Sequence, residues 1–450
     1  MLSQILAVLI FLVMFALIIW DKIERHIITL SCGALTLILV FGLCMQSWQA
    51  VTETLSLHSF VQTSFWYSPG LSAESSTGIS WSTILFIAGM MLMVEGLAES
   101  GFFRWICMSL AAKVRYRTTP IFLIFMVTSA LLSMFISSIT VILFLAAVTI
   151  ELARMLQFDP VPMILAEVFC ANLGGAATMC GDPPNIIIGT ALGYSFGDFV
   201  TNTGVIALVC LDFSLLFFYL AYRKKLSGLP TSVPEGGYPN PTEAITDRKR
   251  FTAGCIIFLC TVVLLITHSM TGLTLATIGV LIGLVSLLSV GKKARQVLRQ
   301  VDWNTLLFFV GLFIVVGGLE QTKVLELLAQ CIGHVCGGNA LIIVLIIIWL
   351  SALASAFVDN IPFAATMVPV IKSLSSLQGT DLATLAWALA IGTDIGGSAT
   401  PIGASANVMG ISIAAKNNHF ISWKQYCTIL VPATILVLLI STALILLRYF

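Results

Sequence analysis

Charged residues are scarce in this chain of 450 residues, at 10% of the total, against 58% hydrophobic residues and a mean hydropathy of +1.03. This composition excludes a water-soluble globular domain. Apolar runs such as residues 5–20 and 341–350 predict helices that span a membrane. The formal net charge of +1 gives no indication of a nucleic-acid partner, because the charges are sorted by side of the membrane, and we expect no such partner. The chain is therefore predicted to be an integral protein of a lipid bilayer.

Catalytic and metal-binding patterns are also lacking. The five histidines lie at the ends of apolar segments or in loops, which argues against a histidine proton relay at the membrane centre. The eleven cysteines lie mostly within apolar segments and lack metal-ligand spacing, as expected of small buried residues. The sequence contains no His-Glu-x-x-His zinc motif, no paired motif of an intramembrane aspartyl protease and no ATPase motif. We expect neither an enzyme nor a bound organic cofactor.

What the chain does contain is an internal repeat, at a fixed offset of 222 residues. The segment WSTILF at 81–86 returns as WNTLLF at 303–308, and GGAAT at 174–178 returns as GGSAT at 396–400. Two related halves that each interrupt an apolar segment with polar residues predict a transporter whose site lies between the halves.

The apolar windows predict membrane spans, most of them close to the 20 residues needed to cross the hydrocarbon. They lie at 3–20, 26–44, 81–98, 118–136, 161–200 with a break, 203–222, 251–268, 272–290, 303–319, 340–357, 380–415 with a break, and 420–447. We predict a first repeat at 1–222, a cytoplasmic linker at 223–250 and a second repeat at 251–450. The segment 1–20 has no basic leader and no small-residue cleavage site, so we predict a retained helix.

The distribution of Lys and Arg predicts the orientation. With a cytoplasmic turn at 21–26, nineteen of these residues collect on one side of the membrane and three on the other. This count requires 118–157 and 340–377 to be re-entrant hairpins, and it makes the second repeat inverted relative to the first. We expect a prokaryotic inner-membrane protein with cytoplasmic Lys- and Arg-rich loops, both termini external, and an external loop at 45–80.

Four polar insertions carry the candidate chemistry: the breaks at 172–185 and 394–407, and the hairpin tips at 137–140 and 359–362. Glycines in the breaks disfavour a continuous helix, and Asp182 followed by two prolines is typical of a helix start. Backbone freed at this depth is tolerated where it is buried in protein or lines a wet cavity. The candidate substrate- and ion-binding residues are Ser137, Ser138, Thr140, Asn172, Thr178, Gly181, Asp182, Asn185, Asp359, Asn360, Asp394, Thr400, Gly403, Ser405 and Asn407.

Oxygen atoms in these insertions can replace the water shell of a small cation, and half-helix N-termini offer N–H groups to an anion. The insertions contain no Lys or Arg, so we expect any anion to be bound without a basic side chain. Close helix packing through small residues is an alternative explanation of the glycines, but it does not call for Asp182 or Asp394. For Asp359, the alternative is a carboxyl that caps the returning hairpin helix.

Three motifs in this chain closely resemble those of the ion transporter superfamily of ArsB and NhaD type, above all the branch of the P protein and the arsenite permease. They are GDPPN at 181–185, FVDNIPF at 357–363 and GASAN at 403–407. The resemblance implies a homodimer with scaffold helices at about 1–100 and 251–320 and transport elements at about 118–200 and 340–415 that move as an elevator. It also implies sodium sites at Ser138, Asp182 and Asn185, and at Asp359, Asn360 and Asn407.

We therefore predict an all-α polytopic membrane protein, with an inverted repeat that contains two re-entrant hairpins and two broken helices. The favoured function is secondary active transport of a small anion or metalloid oxyacid, coupled to sodium or protons. The Ser-Asn-Thr tips of the dicarboxylate symporters are replaced here, which argues against a dicarboxylate substrate. The alternatives are a sodium/proton antiporter that uses Asp182, Asp359 or Asp394, and an anion channel.

Overall fold

The computed structural model describes residues 1–20, 22–69, 78–226 and 240–450, which are mostly helical. The predicted linker at 223–250 lies partly outside the described residues, as does part of the predicted external loop at 45–80. Eleven helices in the described part of the chain are long and apolar enough to cross a membrane. The prediction of an integral membrane protein is thereby supported.

The helices of the first half are α1 (Leu2–Trp20), α2 (Arg25–Met45), α3 (Trp48–Leu55), α4 (Trp81–Glu99), α5 (Phe102–Lys113), α6 (Thr118–Ser133), α7 (Ser138–Leu156), α8 (Val161–Gly175), α9 (Pro183–Leu192) and α10 (Phe196–Leu226). Those of the second half are α11 (Arg248–Thr271), α12 (Leu275–Val290), α13 (Ala294–Gln300), α14 (Trp303–Gln321), α15 (Val324–Val335), α16 (Ala340–Phe357), α17 (Asn360–Gln378), α18 (Leu382–Gly396), α19 (Ser405–Lys416) and α20 (Trp423–Tyr449). Single-turn helices lie in the connections at Leu57–Val61, Thr63–Trp66, Pro241–Ala244, Gly291–Lys293 and Gly397–Ala399.

Each helix of the first half corresponds to the helix ten places later, because equivalent helices pack against equivalent neighbours. Local signals repeat as well: Ser80 caps α4 and Asp302 caps α14, each by accepting a hydrogen bond from the backbone N–H three residues on. The first three helices also take part in the repeat. Gly33 and Gly279 are equivalent but 246 residues apart. The offset exceeds 222 by 24 because the connection between α3 and α4 is longer than the equivalent connection between α13 and α14.

Two helix crossings, α4 on α12 and α2 on α14, form the most extensive packing of these helices. The backbones touch at glycines. A Cβ atom on Gly89 would lie 1.9 Å from the carbonyl oxygen of Gly279, and a Cβ atom on Gly279 would lie 2.4 Å from the Cα of Phe86. Small residues at such positions let membrane helices approach closely, which replaces the hydrophobic driving force that lipid does not supply.

The remaining elements are two hairpins and two broken helices, as predicted. Helices α6 and α7 form the first hairpin, and α16 and α17 the second. Helices α8 and α9 are the two parts of the first broken helix, and α18 and α19 those of the second. The halves interlock, because α9 packs on α17 while α19 packs on α7. The predicted fold class, an all-α inverted repeat with two hairpins and two broken helices, is confirmed.

Some boundaries differ from the prediction. The first broken helix ends at Leu192 rather than near residue 200, because Gly193 adopts a left-handed conformation with a φ of 75°. Ser195 and Asp198 then form a capping box that begins α10. Sequence reasoning also missed α3 and α13, which are too short to show a spanning apolar window.

We predict that Gly89→Val prevents correct folding, since its side chain would collide with the α12 backbone and a clash of this kind costs about 1–3 kcal/mol or more. Size-exclusion chromatography in detergent should show a loss of the monodisperse peak. Gly42→Val is the matched control, because Gly42 is exposed and its Cβ would meet nothing closer than 3.5 Å. Equal yields of both variants would contradict the importance of the crossing.

Candidate functional site

The first hairpin tip packs against the first break. The hydroxyl of Thr178 donates to the carbonyl oxygen of Met134 at the tip. The Asn185 amide closes the break by donating to the carbonyl oxygens of Gly175 at 3.0 Å and Thr178 at 3.1 Å. A side chain on α9 thus satisfies backbone acceptors that the interrupted helix leaves without a helical partner.

The second half repeats this arrangement. Thr400 donates to the carbonyl oxygen of Ala356, and the Asn407 amide donates to those of Gly397 at 2.7 Å and Thr400 at 2.8 Å. Glycine is required in both breaks, because a Cβ atom on Gly403 would lie 2.5 Å from the Gly397 carbonyl oxygen. At the equivalent Gly181 the clash distance is 2.4 Å. The geometry that the two breaks share is therefore mainly backbone geometry.

The carboxyl groups follow no such symmetry. Asp182 accepts hydrogen bonds from the Ser138 hydroxyl at 2.7 Å and the Ser138 N–H at 3.3 Å, whereas the position equivalent to Asp182 is Ala404. Asp359 accepts from the Ile361 N–H at 3.1 Å and lies 3.5 Å from the Ser405 hydroxyl. The capping role considered for Asp359 is therefore present in the structure.

The two halves also meet through their broken helices. Asn172 donates its amide to the Asn407 side-chain oxygen at 2.9 Å and to the Ser398 hydroxyl at 3.0 Å. The residue equivalent to Asn172 is Asp394, whose carboxyl has the side chains of Asn185 and Asn360 as neighbours. Both carboxyl oxygens and the Asn185 side-chain oxygen are buried and receive no hydrogen bond from the residues that the structure describes. An ionised carboxylate has no hydrogen to donate, so in that state Asp394 cannot provide the Asn185 side-chain oxygen with a hydrogen bond.

A cavity of about 670 Å³ lies in front of the tips and breaks. Five of the predicted residues line it: Ser137, Thr140, Gly181, Asp359 and Ser405. The other ten are not lining residues, namely Ser138, Asn172, Thr178, Asp182, Asn185, Asn360, Asp394, Thr400, Gly403 and Asn407. Apolar side chains such as Met90 and Phe135 cover much of the remaining wall. The predicted set is thus divided between the wall of the cavity and a buried polar layer behind it.

The expectation of a site without a basic side chain is wrong. Arg25, at the start of α2, forms an ion pair with Asp359 and lines the cavity together with Lys22 and His26. The Arg25 side chain is 32% exposed and that of Asp359 4%. Sequence reasoning used Arg25 only as an orientation signal, and no local pattern connects two residues 334 positions apart.

Comparison with known proteins assigns the family. Residues 15–392 match the family described as "Citrate transporter". The chain belongs to the citrate transporter family. One relative, the 46 kDa membrane protein of Mycobacterium leprae, is 32% identical to this chain over 99% of each chain. An uncharacterized transporter of Mycobacterium tuberculosis is 31% identical over 99% of each chain.

The P protein of Homo sapiens is 27% identical over 77% of this chain and 51% of its own length. The predicted resemblance to the superfamily that contains the P protein is therefore confirmed. Two solved structures share the fold. The YdaH transporter of Alcanivorax borkumensis has a TM-score of 0.61 at 14% identity and covers 98% of this chain and 97% of its own. MtrF of Neisseria gonorrhoeae has a TM-score of 0.57 at 12% identity and covers 88% of this chain and 83% of its own.

We predict that Asp394→Asn keeps or raises thermal stability, since the new amide can donate to the Asn185 oxygen as Asn172 donates to Asn407. The mirror substitution Asn172→Asp should lower stability, because it removes two donated hydrogen bonds and leaves buried acceptors, at about 1–3 kcal/mol for each acceptor left without a partner. Thermal unfolding of both variants in detergent measures the difference. Equal destabilisation of the two variants would show that the Asp394 carboxyl already has hydrogen-bond partners.

Proposed function

We propose that this protein is a secondary active transporter that moves a small anion or a metalloid oxyacid across the membrane against a sodium or proton gradient. One observation carries the proposal: a single cavity is lined by residues from all four polar insertions. Ser137 and Asp359 come from the tips, and Gly181 and Ser405 from the breaks. Its volume of about 670 Å³ suits a small-molecule ligand.

The ends of α9 and α19 support an anionic cargo. Pro183 and Ser405, the first residues of these half-helices, line the cavity, so both helix N-termini are directed toward it. Helix N-termini present N–H groups and a partial positive charge, which favour anions. The family description, citrate transporter, adds support for a small organic anion.

Buried carboxyls supply candidates for ion coupling. Asp182 and Asp394 are 3% and 1% exposed, and they are close enough for their charges to interact. Ionisable side chains inside a membrane protein are functional by default, because burial there is costly. We propose that these groups bind the coupling proton or sodium ion. If sodium is the coupling ion, it binds at the two sites predicted above, one at Ser138, Asp182 and Asn185 and the other at Asp359, Asn360 and Asn407.

For the mechanism, we propose a homodimer in which the scaffold helices α2, α4, α12 and α14 stay fixed while the hairpins and broken helices move as an elevator. The hydroxyls of Thr83 on α4 and Thr190 on α9 are in contact at 3.0 Å across this boundary. With the orientation predicted from the Lys and Arg distribution, the cavity opens to the cytoplasm, since Lys22 and Gln300 from that side line it.

A sodium/proton antiporter is the second candidate, favoured by the neighbouring Asp182 and Asp394 carboxyls, which could exchange a proton for a cation without an anion. Proteoliposomes with imposed gradients separate the two functions. We expect accumulation of a radiolabelled organic anion such as citrate under an inward sodium or proton gradient, and none when both gradients are collapsed. Sodium-driven proton movement with no added anion would overturn the leading proposal and support the antiporter.

The elevator proposal predicts that a cross-link between α4 and α9 stops transport. Oxidised Thr83→Cys/Thr190→Cys should lose activity and regain it on reduction, because the two helices must slide past each other. Ser441→Cys is the matched control, since Ser441 contacts Cys210 at 3.3 Å between α20 and α10, outside that boundary. Full transport by the oxidised Thr83/Thr190 double variant, with the disulfide verified by mass spectrometry, would contradict movement at this boundary.

A further inference from the structure

The pairing of Arg25 with Asp359 brings a scaffold helix into contact with a hairpin tip. Arg25 begins α2, whereas Asp359 caps α17. Both residues line the 670 Å³ cavity, so their ion pair forms part of its wall. A molecule that enters the cavity meets both partners of this pair.

The fold does not require this pair. In the first half, the position of Asp359 is taken by Ser137, which precedes the equivalent hairpin helix α7 and makes no side-chain cap. The 246-residue offset of the first helices places Thr271, which is uncharged, at the position equivalent to Arg25. The same hairpin tip therefore forms in one half with a charged pair and in the other half without one.

Asp359 also keeps other contacts when Arg25 is left out. Its carboxyl accepts a hydrogen bond from the Ile361 N–H at 3.1 Å, and the Ser405 hydroxyl lies 3.5 Å from the second oxygen. Loss of Arg25 consequently leaves this carboxyl with a backbone donor and a hydroxyl nearby. The ion pair is suited to exchange, because its breakage does not strand a buried charge without hydrogen bonds.

We propose that Arg25 binds the carboxylate of the transported anion, and that Asp359 forms its ion pair with Arg25 when the cavity holds no anion. The inference rests on the proposed function and adds the residue that recognises the cargo. A guanidinium presents planar N–H donors that match the two oxygens of a carboxylate. The acidic residues Glu24, Glu95 and Asp302 also line the cavity, and the basic residues Lys22 and His26 line it with Arg25.

The exchange has a mechanical consequence. While Asp359 is paired with Arg25, the second hairpin is tied to α2. An anion that replaces Asp359 on Arg25 removes this tie and frees the hairpin from the scaffold helix. Cargo binding and release of the moving part from α2 are then the same event.

Calorimetric titration of the full chain in lipid nanodiscs tests the exchange, with citrate and succinate as carboxylate probes. Removal of the internal competitor in Asp359→Asn should tighten citrate binding by about tenfold or more. Arg25→Gln should weaken it by about tenfold or more, and the double variant should bind as weakly as Arg25→Gln. Arg25→Lys, which keeps the charge but loses the planar donors, gives the same test if Arg25→Gln does not fold, and we expect weaker binding there too.

Arg295→Gln serves as the control, because Arg295 is exposed and lies outside the cavity wall. The citrate affinity of this variant should match that of the unsubstituted protein. Unchanged affinity in Arg25→Gln, or weaker binding in Asp359→Asn, would overturn the proposal. So would the failure of both carboxylates to bind Asp359→Asn. Flux in proteoliposomes separates this outcome from that of the proposed function: the expected binding pattern without any flux refutes transport alone, whereas normal flux in Arg25→Gln refutes the exchange alone.

Discussion

Hydrogen bonding of the interrupted backbone is the constraint on which this structure depends. Each broken helix frees carbonyl oxygens in a region where lipid supplies no donors. One asparagine in each half, Asn185 or Asn407, donates to two of these oxygens and so fixes the shape of the break. The threonines at 178 and 400 then tie the same segment to the adjacent hairpin tip. These four side chains thus hold in place the non-helical backbone of both breaks.

Upon this symmetric frame, the charged groups are distributed asymmetrically. Asp182 has alanine as its counterpart, Asp359 has serine, and Asp394 has asparagine. The frame therefore determines where a ligand can lie, and the exceptions to the symmetry determine which ions it favours. The contrast is sharpest where the halves meet. Asn172 donates a hydrogen bond to Asn407, whereas the equivalent Asp394, next to Asn185, has no hydrogen to donate when it is ionised. Proposals about coupling accordingly concern Asp182 and Asp394 more than the asparagines.

Sequence reasoning predicted the spans, the hairpins and the breaks, because glycines and polar residues inside apolar segments are strong local signals. Each tip packs against the break of its own half, as the contacts of Thr178 and Thr400 show. Sequence reasoning included α1 to α3 in the first repeat but missed that the extra residues before α4 change their offset from 222 to 246. The contact of Arg25 with Asp359 depends on tertiary packing between segments 334 residues apart, for which the chain contains no local pattern. The sodium sites, the homodimer and the elevator movement stay predictions.

The interlocking of the halves has a consequence for biogenesis. Helix α7 is synthesised long before α19, against which it packs, and α9 long before α17. Asn172 likewise precedes its acceptors Ser398 and Asn407 by 226 and 235 residues. The first half must therefore remain in the membrane with its polar break incompletely bonded until most of the second half has been translated. Protection by water, lipid headgroups or the insertion machinery is needed during that interval, and chains truncated before α19 should be substrates for membrane quality control.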